Sequence, residues 1–127
     1  MAVSTKVLVV DDDATTRGAL AQLLQSWGYQ PDTASDGIEA LEKARNSCPM
    51  IVISDLRMPR MGGMEFLSAL RCGSPHVHCI IITADGGWEA AVQARRLGAV
   101  DLLEKPVDLQ RLRIDLKKCL ETPGSLA

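Results

Sequence analysis

The chain has 127 residues, of which 46% are hydrophobic and 24% charged, and it carries a formal net charge of -2 at pH 7. This length suits one domain with a core of its own. The nearly balanced charge provides no basic field, so we do not expect this chain to bind nucleic acid or an anionic lipid surface directly. Nothing before Lys6 resembles a signal peptide and no apolar run approaches a membrane span, so we expect a cytoplasmic protein.

The four cysteines and two histidines form no recognisable metal or redox motif. They are Cys48, Cys72, Cys79, Cys119, His76 and His78. The cysteines are irregularly spaced and lack a C-x-x-C pair. We therefore expect reduced thiols and solvent-facing histidines.

In the first half of the chain, short apolar runs alternate with longer runs of helical period. The pattern predicts strands over residues 6 to 10 and 30 to 34, the second polar enough to be an edge strand. It predicts helices over 14 to 27 and 37 to 46, the first ended by Gly28 and the second capped by Ser35 or Asp36. The side chains predicted to pack inward are Leu20, Leu23, Leu24 and Trp27 in the first helix and Ile38, Leu41 and Ala44 in the second.

The second half repeats this alternation three times. A third strand ends at Asp55, a fourth covers residues 79 to 82 and runs into Thr83, and a fifth covers 100 to 104. Helices are predicted from Gly62-Gly63 to about residue 72, over about 87 to 97, and after a capping Asp108. The last helix is expected to bury Leu109, Leu112, Leu116 and Leu120. Trp88, near the start of the fourth helix, either anchors a partner or covers the core, and we favour the core.

Strands separated by single helices must run parallel, so the pattern predicts a doubly wound α/β domain with a five-stranded sheet. In such sheets the ligand crevice lies beyond the carboxyl ends of the strands. Asp11, Asp12, Asp55, Thr83 and Lys105 all follow or end a predicted strand. Several carboxylates in one crevice favour a bound divalent cation that prefers oxygen ligands.

Four motifs in order resemble the receiver domain of bacterial two-component response regulators. They are Val9-Val10-Asp11-Asp12-Asp13, Ile53-Ser54-Asp55-Leu56-Arg57-Met58-Pro59, Ile82-Thr83-Ala84 and Glu104-Lys105-Pro106. The resemblance covers residues 5 to 121 and leaves 122 to 127 as a linker or tail. It implies a flavodoxin-like sheet in the order 2-1-3-4-5.

The resemblance also implies the chemistry. Asp55 is expected to be the nucleophile that takes a phosphoryl group from a sensor histidine kinase. Asp12 and Asp55 are expected to bind Mg²⁺ (or Mn²⁺) directly, Asp11 through a water, and Arg57 through its backbone carbonyl. Lys105 is expected to contact a phosphoryl oxygen, and Asp13 is assigned to capping the first helix instead.

The family's conformational switch begins at a hydroxyl, here that of Thr83, and commonly involves an aromatic residue where this chain has Leu102. An aliphatic repacking, or a movement of the backbone and the fourth helix, must replace the aromatic swing. The family's output surface comprises the fourth helix, the fifth strand and the fifth helix. On that surface, salt bridges across a symmetric homodimer and a solvated mixed-charge face are both open for Arg95, Arg96, Asp101, Arg111, Arg113 and Asp115.

Two departures near the expected nucleophile concern the loops. Arg57 and Asp85 lie two residues beyond Asp55 and Thr83, and an ion pair between them is expected to obstruct hydrolytic water and to prolong the life of the phosphate. Gly62 stands where the family often has Asp, so we expect the third helix to lack a side-chain cap.

The resemblance favours a module that controls an output domain in a transcriptional activator dependent on sigma-54. A single-domain receiver that acts on a protein target is the alternative. The chain is expected to catalyse only its own phosphorylation and dephosphorylation. A Mg²⁺-dependent phosphatase is less consistent because Arg57 occupies the position of its general acid, and a flavin carrier is less consistent because Asp11 to Asp13 would repel a phosphate.

Overall fold

The computed structural model describes residues 5–121, and the predicted linker over 122 to 127 lies outside this range. Five strands alternate with five helices in it. The elements are β1 (Lys6–Val10), α1 (Ala14–Ser26), β2 (Gln30–Ala34), α2 (Gly37–Ser47), β3 (Ile51–Asp55), α3 (Gly63–Gly73), β4 (His78–Thr83), α4 (Trp88–Arg96), β5 (Asp101–Glu104) and α5 (Leu109–Glu121). Within residues 5–121, none of the helices combines the length and apolar character needed to cross a membrane.

The strands form one parallel sheet in the order β2-β1-β3-β4-β5. This confirms the doubly wound α/β fold, the flavodoxin-like strand order and the edge position of β2. The register aligns the strand ends, since Val10 lies opposite Ser54, Asp55 opposite Ile82, and Thr83 opposite Glu104. The residues that end or follow β1, β3, β4 and β5 therefore share one edge of the sheet.

The core consists of two aliphatic layers, one on each face of the sheet. Alternate strand residues point to opposite faces, so Leu8 and Val10 pack with α2, α3 and α4, whereas Val7 and Val9 pack with α1 and α5. The strands are buried on both faces, which explains their nearly continuous apolar sequences.

Three expectations about helix faces were wrong. Ile38, Leu109 and Leu120 are exposed, by 44%, 48% and 45% of their surface. Each lies within the first two or last two residues of its helix. In α5 the buried positions are Leu112, Asp115, Leu116 and Cys119.

Trp88 does not cover the core, contrary to expectation: 76% of its surface is exposed. Helix α4 contacts the sheet through small side chains, with Ala94 buried and Ala90 and Ala91 partly buried. At about 100° per residue, Trp88 is rotated well away from Ala94 around the helix axis. Its hydrophobicity alone suggested burial, and the rotation of α4 prevents it.

The predicted caps hold the helix starts. The side chain of Asp13 accepts the amide hydrogen of Thr15, and that of Asp36 accepts the amide hydrogen of Glu39, at 3.1 and 2.9 Å. Asp108 accepts the amide hydrogen of Gln110 at 3.0 Å. Gly62 precedes α3 without a side-chain cap, as expected. Ser35 is not the cap of α2 because Asp36 occupies that role.

Candidate functional site

Three carboxylates meet at the carboxyl edge of the sheet. Asp11 and Asp12 follow β1, Asp55 ends β3, and each offers an oxygen that lies within 4.8 Å of the other two. Asp11 is buried, Asp55 is half-buried and Asp12 is exposed. The predicted convergence of these three residues is therefore present in the fold.

Lys105 is the cation of this group. Its ammonium nitrogen lies 3.2 Å from Oδ2 of Asp55 and 3.4 Å from Oδ2 of Asp11. The backbone of Lys105 is fixed because its amide donates to the carbonyl of Thr83 at 2.8 Å. Its side chain is 27% exposed, so the ammonium lies at the rim of the crevice, between the acids and solvent.

The charges of the site shift one another's pKa values. Burial raises the pKa of Asp11, the amide of Asp13 opposes this by donating to its Oδ1 at 2.9 Å, and the charge of Asp55 raises the pKa further. Burial lowers the pKa of Lys105, but attraction to Asp55 and Asp11 is stronger overall, so this pKa is raised. Lys105 therefore remains an ammonium, and one positive charge faces three acids.

This donor set fits a small divalent cation. Opposite ligands of Mg²⁺ in an octahedron are about 4.2 Å apart, since each bond is about 2.1 Å long, so oxygens within 4.8 Å need little adjustment to share one ion. The excess of acids over bases favours a positive ligand. Asp12 is the most open of the three and leaves space for coordinated water.

The loops after β3 and β4 are joined by a predicted pair. Nε of Arg57 lies 2.7 Å from Oδ2 of Asp85, which confirms the ion pair, and both side chains are more than half exposed. The amide of Arg57 donates to Oδ1 of Asp55 at 3.3 Å. The side chain of Arg57 thus points to Asp85, while its backbone stays beside the carboxylate.

The two residues expected to act in the switch are buried. Thr83 is 1% exposed, and its hydroxyl oxygen accepts the amide hydrogen of Asp85 at 3.0 Å. Leu102 is 7% exposed and belongs to the core layer on the side of α4. Thr83 is therefore linked directly to the loop that carries Asp85, and Leu102 to the packing of α4.

Gly63 lies directly behind Asp55, whereas the sequence pattern indicates only that the third helix begins here. A Cβ atom at this position would lie 2.6 Å from the carbonyl oxygen of Asp55 and 2.7 Å from Cα of Leu56. Both are backbone atoms that cannot rotate away. The start of α3 can therefore approach the end of β3 only because residue 63 has no side chain.

Arg60 and Met61 hold the same loop against α2, and the sequence did not single them out. The guanidinium of Arg60 binds the carboxylate of Asp36, and the backbone of Arg60 is left-handed, with φ at 67°. Met61 lies against Gly37, where an added Cβ would meet it at 3.0 Å. A non-glycine residue with positive φ indicates tertiary constraint, but no local pattern predicts it.

The charged residues assigned to the output surface are partly internal. Asp101 and Asp115 are 5% and 4% exposed, so they are not available on the surface as expected. Arg95 and Arg111 bind Asp101 within the chain. Arg113 stacks over Trp27, with 5.1 Å from its guanidinium carbon to the ring centroid.

The fold and the acid-rich edge define a receiver domain of the two-component response regulators. The family described as "Response regulator receiver domain" matches residues 7–117, and the chain belongs to this family.

Three similar proteins place the chain among its relatives. The transcriptional regulatory protein ZraR of Klebsiella oxytoca is 39% identical over 114 residues, which are 90% of this chain and 26% of that protein. Protein-glutamate methylesterase/protein-glutamine glutaminase 1 of Anaeromyxobacter dehalogenans is 40% identical over 103 residues, or 80% of this chain and 29% of that protein. The crystal structure of a response regulator receiver domain protein from Clostridium thermocellum superposes with a TM-score of 0.87 at 34% identity, covering 92% of this chain and 94% of that one. The chain spans less than a third of the length of these two curated relatives.

Proposed function

We propose that Asp55 accepts a phosphoryl group from a phosphorylated histidine of a sensor kinase in the cytoplasm. One carboxylate oxygen of Asp55 attacks phosphorus, the phosphorus–nitrogen bond to the histidine breaks, and an acyl phosphate forms. The observation that supports this most is the convergence of Asp11, Asp12 and Asp55 with Lys105 at the carboxyl edge of the sheet.

Asp55 is suited to be the nucleophile by its position between the other groups. Its Oδ2 contacts Lys105 at 3.2 Å, and its Oδ1 accepts the amide hydrogen of Arg57. Its side chain is 11% exposed, against 4% for that of Asp11, so Asp55 is the more accessible of the two acids that contact Lys105. Asp11 is oriented by the amide of Asp13 and is better placed to hold a ligand than to attack.

The proposed ligands for Mg²⁺ or Mn²⁺ are Asp12, Asp55 and the backbone carbonyl of Arg57, with Asp11 binding through a water. When bound, such an ion neutralises the charge that develops on the phosphoryl oxygens. Lys105 supplies a second positive charge to the same oxygens, and it stays protonated because the neighbouring acids raise its pKa.

The proposed readout begins at Thr83. Its hydroxyl donates to a phosphoryl oxygen on Asp55, and the loop after β4 follows because the amide of Asp85 is bonded to the same hydroxyl oxygen. Movement of that loop repacks α4 against Leu102, which is aliphatic and buried. This provides a two-state element that one local charge event can bias.

The proposed output is transcriptional, through a domain outside this chain, and a homodimer through α4, β5 and α5 is part of the proposal. ZraR, a transcriptional regulatory protein, matches this chain over 26% of its own length, which leaves room for further domains there. The methylesterase relative means that another output is the second candidate, and a single-domain receiver is the third. We propose that the chain itself catalyses only the gain and loss of its phosphoryl group.

The test is phosphorylation with a small donor such as acetyl phosphate. The protein with Mg²⁺ is expected to gain one phosphoryl group by intact mass, and to gain none when a chelator removes the metal. Asp55→Asn removes the nucleophile and is expected to abolish the gain. Asp32→Asn is the matched control, because Asp32 is an exposed acid of β2 that pairs with Lys43 outside the site.

An Asp55→Asn protein that still gains the group would identify another nucleophile. A wild-type protein that gains none, while remaining folded by circular dichroism, would exclude phosphoacceptor chemistry. The sequence of the complete gene distinguishes a transcriptional output domain from the other two candidates.

A further inference from the structure

A second group of acids, a pair, lies at the opposite end of β5 from Lys105. Asp101 begins β5 and Asp115 lies in α5, and both are at least 95% buried. Oδ1 of Asp101 accepts from Nη2 of Arg95 at 3.2 Å and from Nη2 of Arg111 at 3.0 Å. Its Oδ2 accepts from Nε of Arg111 at 3.1 Å, so α4 and α5 both donate to one carboxylate.

Asp115 lacks such donors. Among residues 5–121, no N–H or hydroxyl group donates a hydrogen bond to its buried Oδ2. Its carboxyl group instead lies in hydrogen-bonding contact with that of Asp101. Two ionised carboxylates can only accept, so this contact requires a proton on one of them.

We propose that Asp101 and Asp115 share one proton, which ties α5 to β5 and makes the surface formed by α4, β5 and α5 respond to pH. The arginines assign the proton to Asp115. Asp101 receives three charged hydrogen bonds and the amide of Leu102, all of which favour its ionised form. Asp115 faces no equivalent set and donates the proton to Asp101.

The pKa values agree with this assignment. Burial, then the hydrogen bond to Asp101 and its charge, raise the pKa of Asp115 to about 6, although Lys118 and Arg111 oppose the rise. Burial also acts to raise the pKa of Asp101, but the bonds from Asp115, Leu102 and Arg111 together lower it. The nearby thiol of Cys119 has a pKa raised to about 12, mainly by burial and then by the charge of Asp115, so it stays neutral.

The sign of the pH effect follows from the raised pKa. The folded protein binds this proton more tightly than the unfolded chain, so the stabilisation is full below the ordinary pKa of 3.8 and is lost as pH rises through about 6. Above that pH two buried negative charges lie together, offset among the described residues by Arg95, Arg111 and Lys118. We expect α5 to open more often there.

The test combines a titration with hydrogen exchange. Carbon-13 NMR of the side-chain carboxyl of Asp115 should give a pKa near 6. The opening constant of α5 amides, corrected for intrinsic exchange, should rise by up to roughly 100-fold between pH 4 and pH 7. Asp115→Asn keeps a donor to Asp101 but cannot titrate, so its α5 amides should lose most of this pH dependence.

Asp32→Asn is the control, because it removes an exposed acid and should leave the α5 response unchanged. A carboxyl pKa of Asp115 near 4 would overturn the proposal. So would an equal pH response of α5 in the wild-type and Asp115→Asn proteins. If Asp115→Asn does not fold, the wild-type titration decides between the two outcomes alone.

Discussion

Two clusters of acids lie on opposite edges of the sheet, one beside the residue after β5 and the other at the start of β5, and they differ in how their charge is balanced. At the carboxyl edge, Asp11, Asp12 and Asp55 face a single ammonium, that of Lys105. At the other end, Asp101 and Asp115 face the guanidinium groups of Arg95 and Arg111 and share a proton in our proposal.

The difference indicates what each cluster is for. Buried charges need partners, and a set that lacks them inside the chain favours a ligand from outside. The first cluster is left with an excess of negative charge and therefore suits a cation, which in our proposal then offsets the charge of the phosphoryl group. In the second cluster the charge is balanced by arginines of the same chain, so its ion pairs join α4 and α5 to β5.

Removing the ammonium should produce the largest effect, because the first cluster has no substitute for it within the described residues. Lys105→Ala should slow phosphorylation of Asp55 by about 100- to 1000-fold, the usual effect of losing one stabilising donor in a reacting site. The rate is measured by intact mass with a small phosphodonor. Lys43→Ala is the matched control, since Lys43 also pairs with acids, Asp32 and Glu39, but far from the site. A decrease in the phosphorylation rate of less than threefold would show that the reaction does not depend on the charge of Lys105.

A substitution that disturbs the backbone around Asp55 should produce the next largest effect, and this effect is on stability. Gly63→Ala should cost about 2 to 3 kcal/mol of unfolding free energy, because the new Cβ meets immobile backbone. Denaturant unfolding measures the change. Gly18→Ala in α1 is the control: no atom lies within 4 Å of its Cβ position, and the change should stabilise the protein by about 0.5 to 1 kcal/mol. An equal, stabilising effect at Gly63 would contradict the close approach of α3 to β3.

Substitution in the cluster of Asp101 and Asp115 should lower the stability of the protein, with little effect on phosphorylation. Asp101→Ala leaves Arg95 and Arg111 without their acid, and we expect a loss of about 1 to 2 kcal/mol, reduced because both arginines are more than half exposed. Chemical denaturation measures the loss, and the initial phosphorylation rate should change less than threefold. Asp32→Ala should cost only about 0.5 kcal/mol, because its ion pair with Lys43 is exposed. If Asp101→Ala slowed phosphorylation strongly and left the free energy of unfolding unchanged, the contrast between the clusters would be wrong.

The exposed pair beside the site should produce the smallest effect. An exposed ion pair contributes about 1 kcal/mol or less, so Arg57→Ala and Asp85→Ala should each speed loss of the phosphoryl group by about fivefold or less. High salt should reduce the difference between the variants and the wild type. Arg96→Ala, on the exposed side of α4, is the control. Unchanged rates in both variants would remove the idea that the pair obstructs water.

The sequence predicted most of the fold and of the first cluster because both depend on local pattern. Apolar runs set the strands, and acids such as Asp55 stand at the strand ends whatever the tertiary packing is. The order of strands came from the resemblance to a family. The convergence of acids then followed from the geometry of parallel sheets.

The second cluster could not be predicted because it depends on the rotation of helices. An Asp at one position of a helix normally indicates a solvated face, so the sequence predicts Asp115 on the surface, whereas it is buried between α5 and β5. The hydrophobicity of Trp88 favours the core, and Trp88 lies outside it because of the same dependence on helix rotation. The left-handed backbone of Arg60 depends on Asp36 in another element, and nothing in its neighbours indicates it.

The exposure of Trp88 gives the protein an optical probe of its own. The chain has two tryptophans: Trp27 is half-buried beneath Arg113, and Trp88 stands in solvent at the first turn of α4. Iodide should therefore quench the fluorescence of Trp88 more than that of Trp27. Emission from an otherwise unlabelled protein can thus report the position of α4 while the site at the sheet edge reacts.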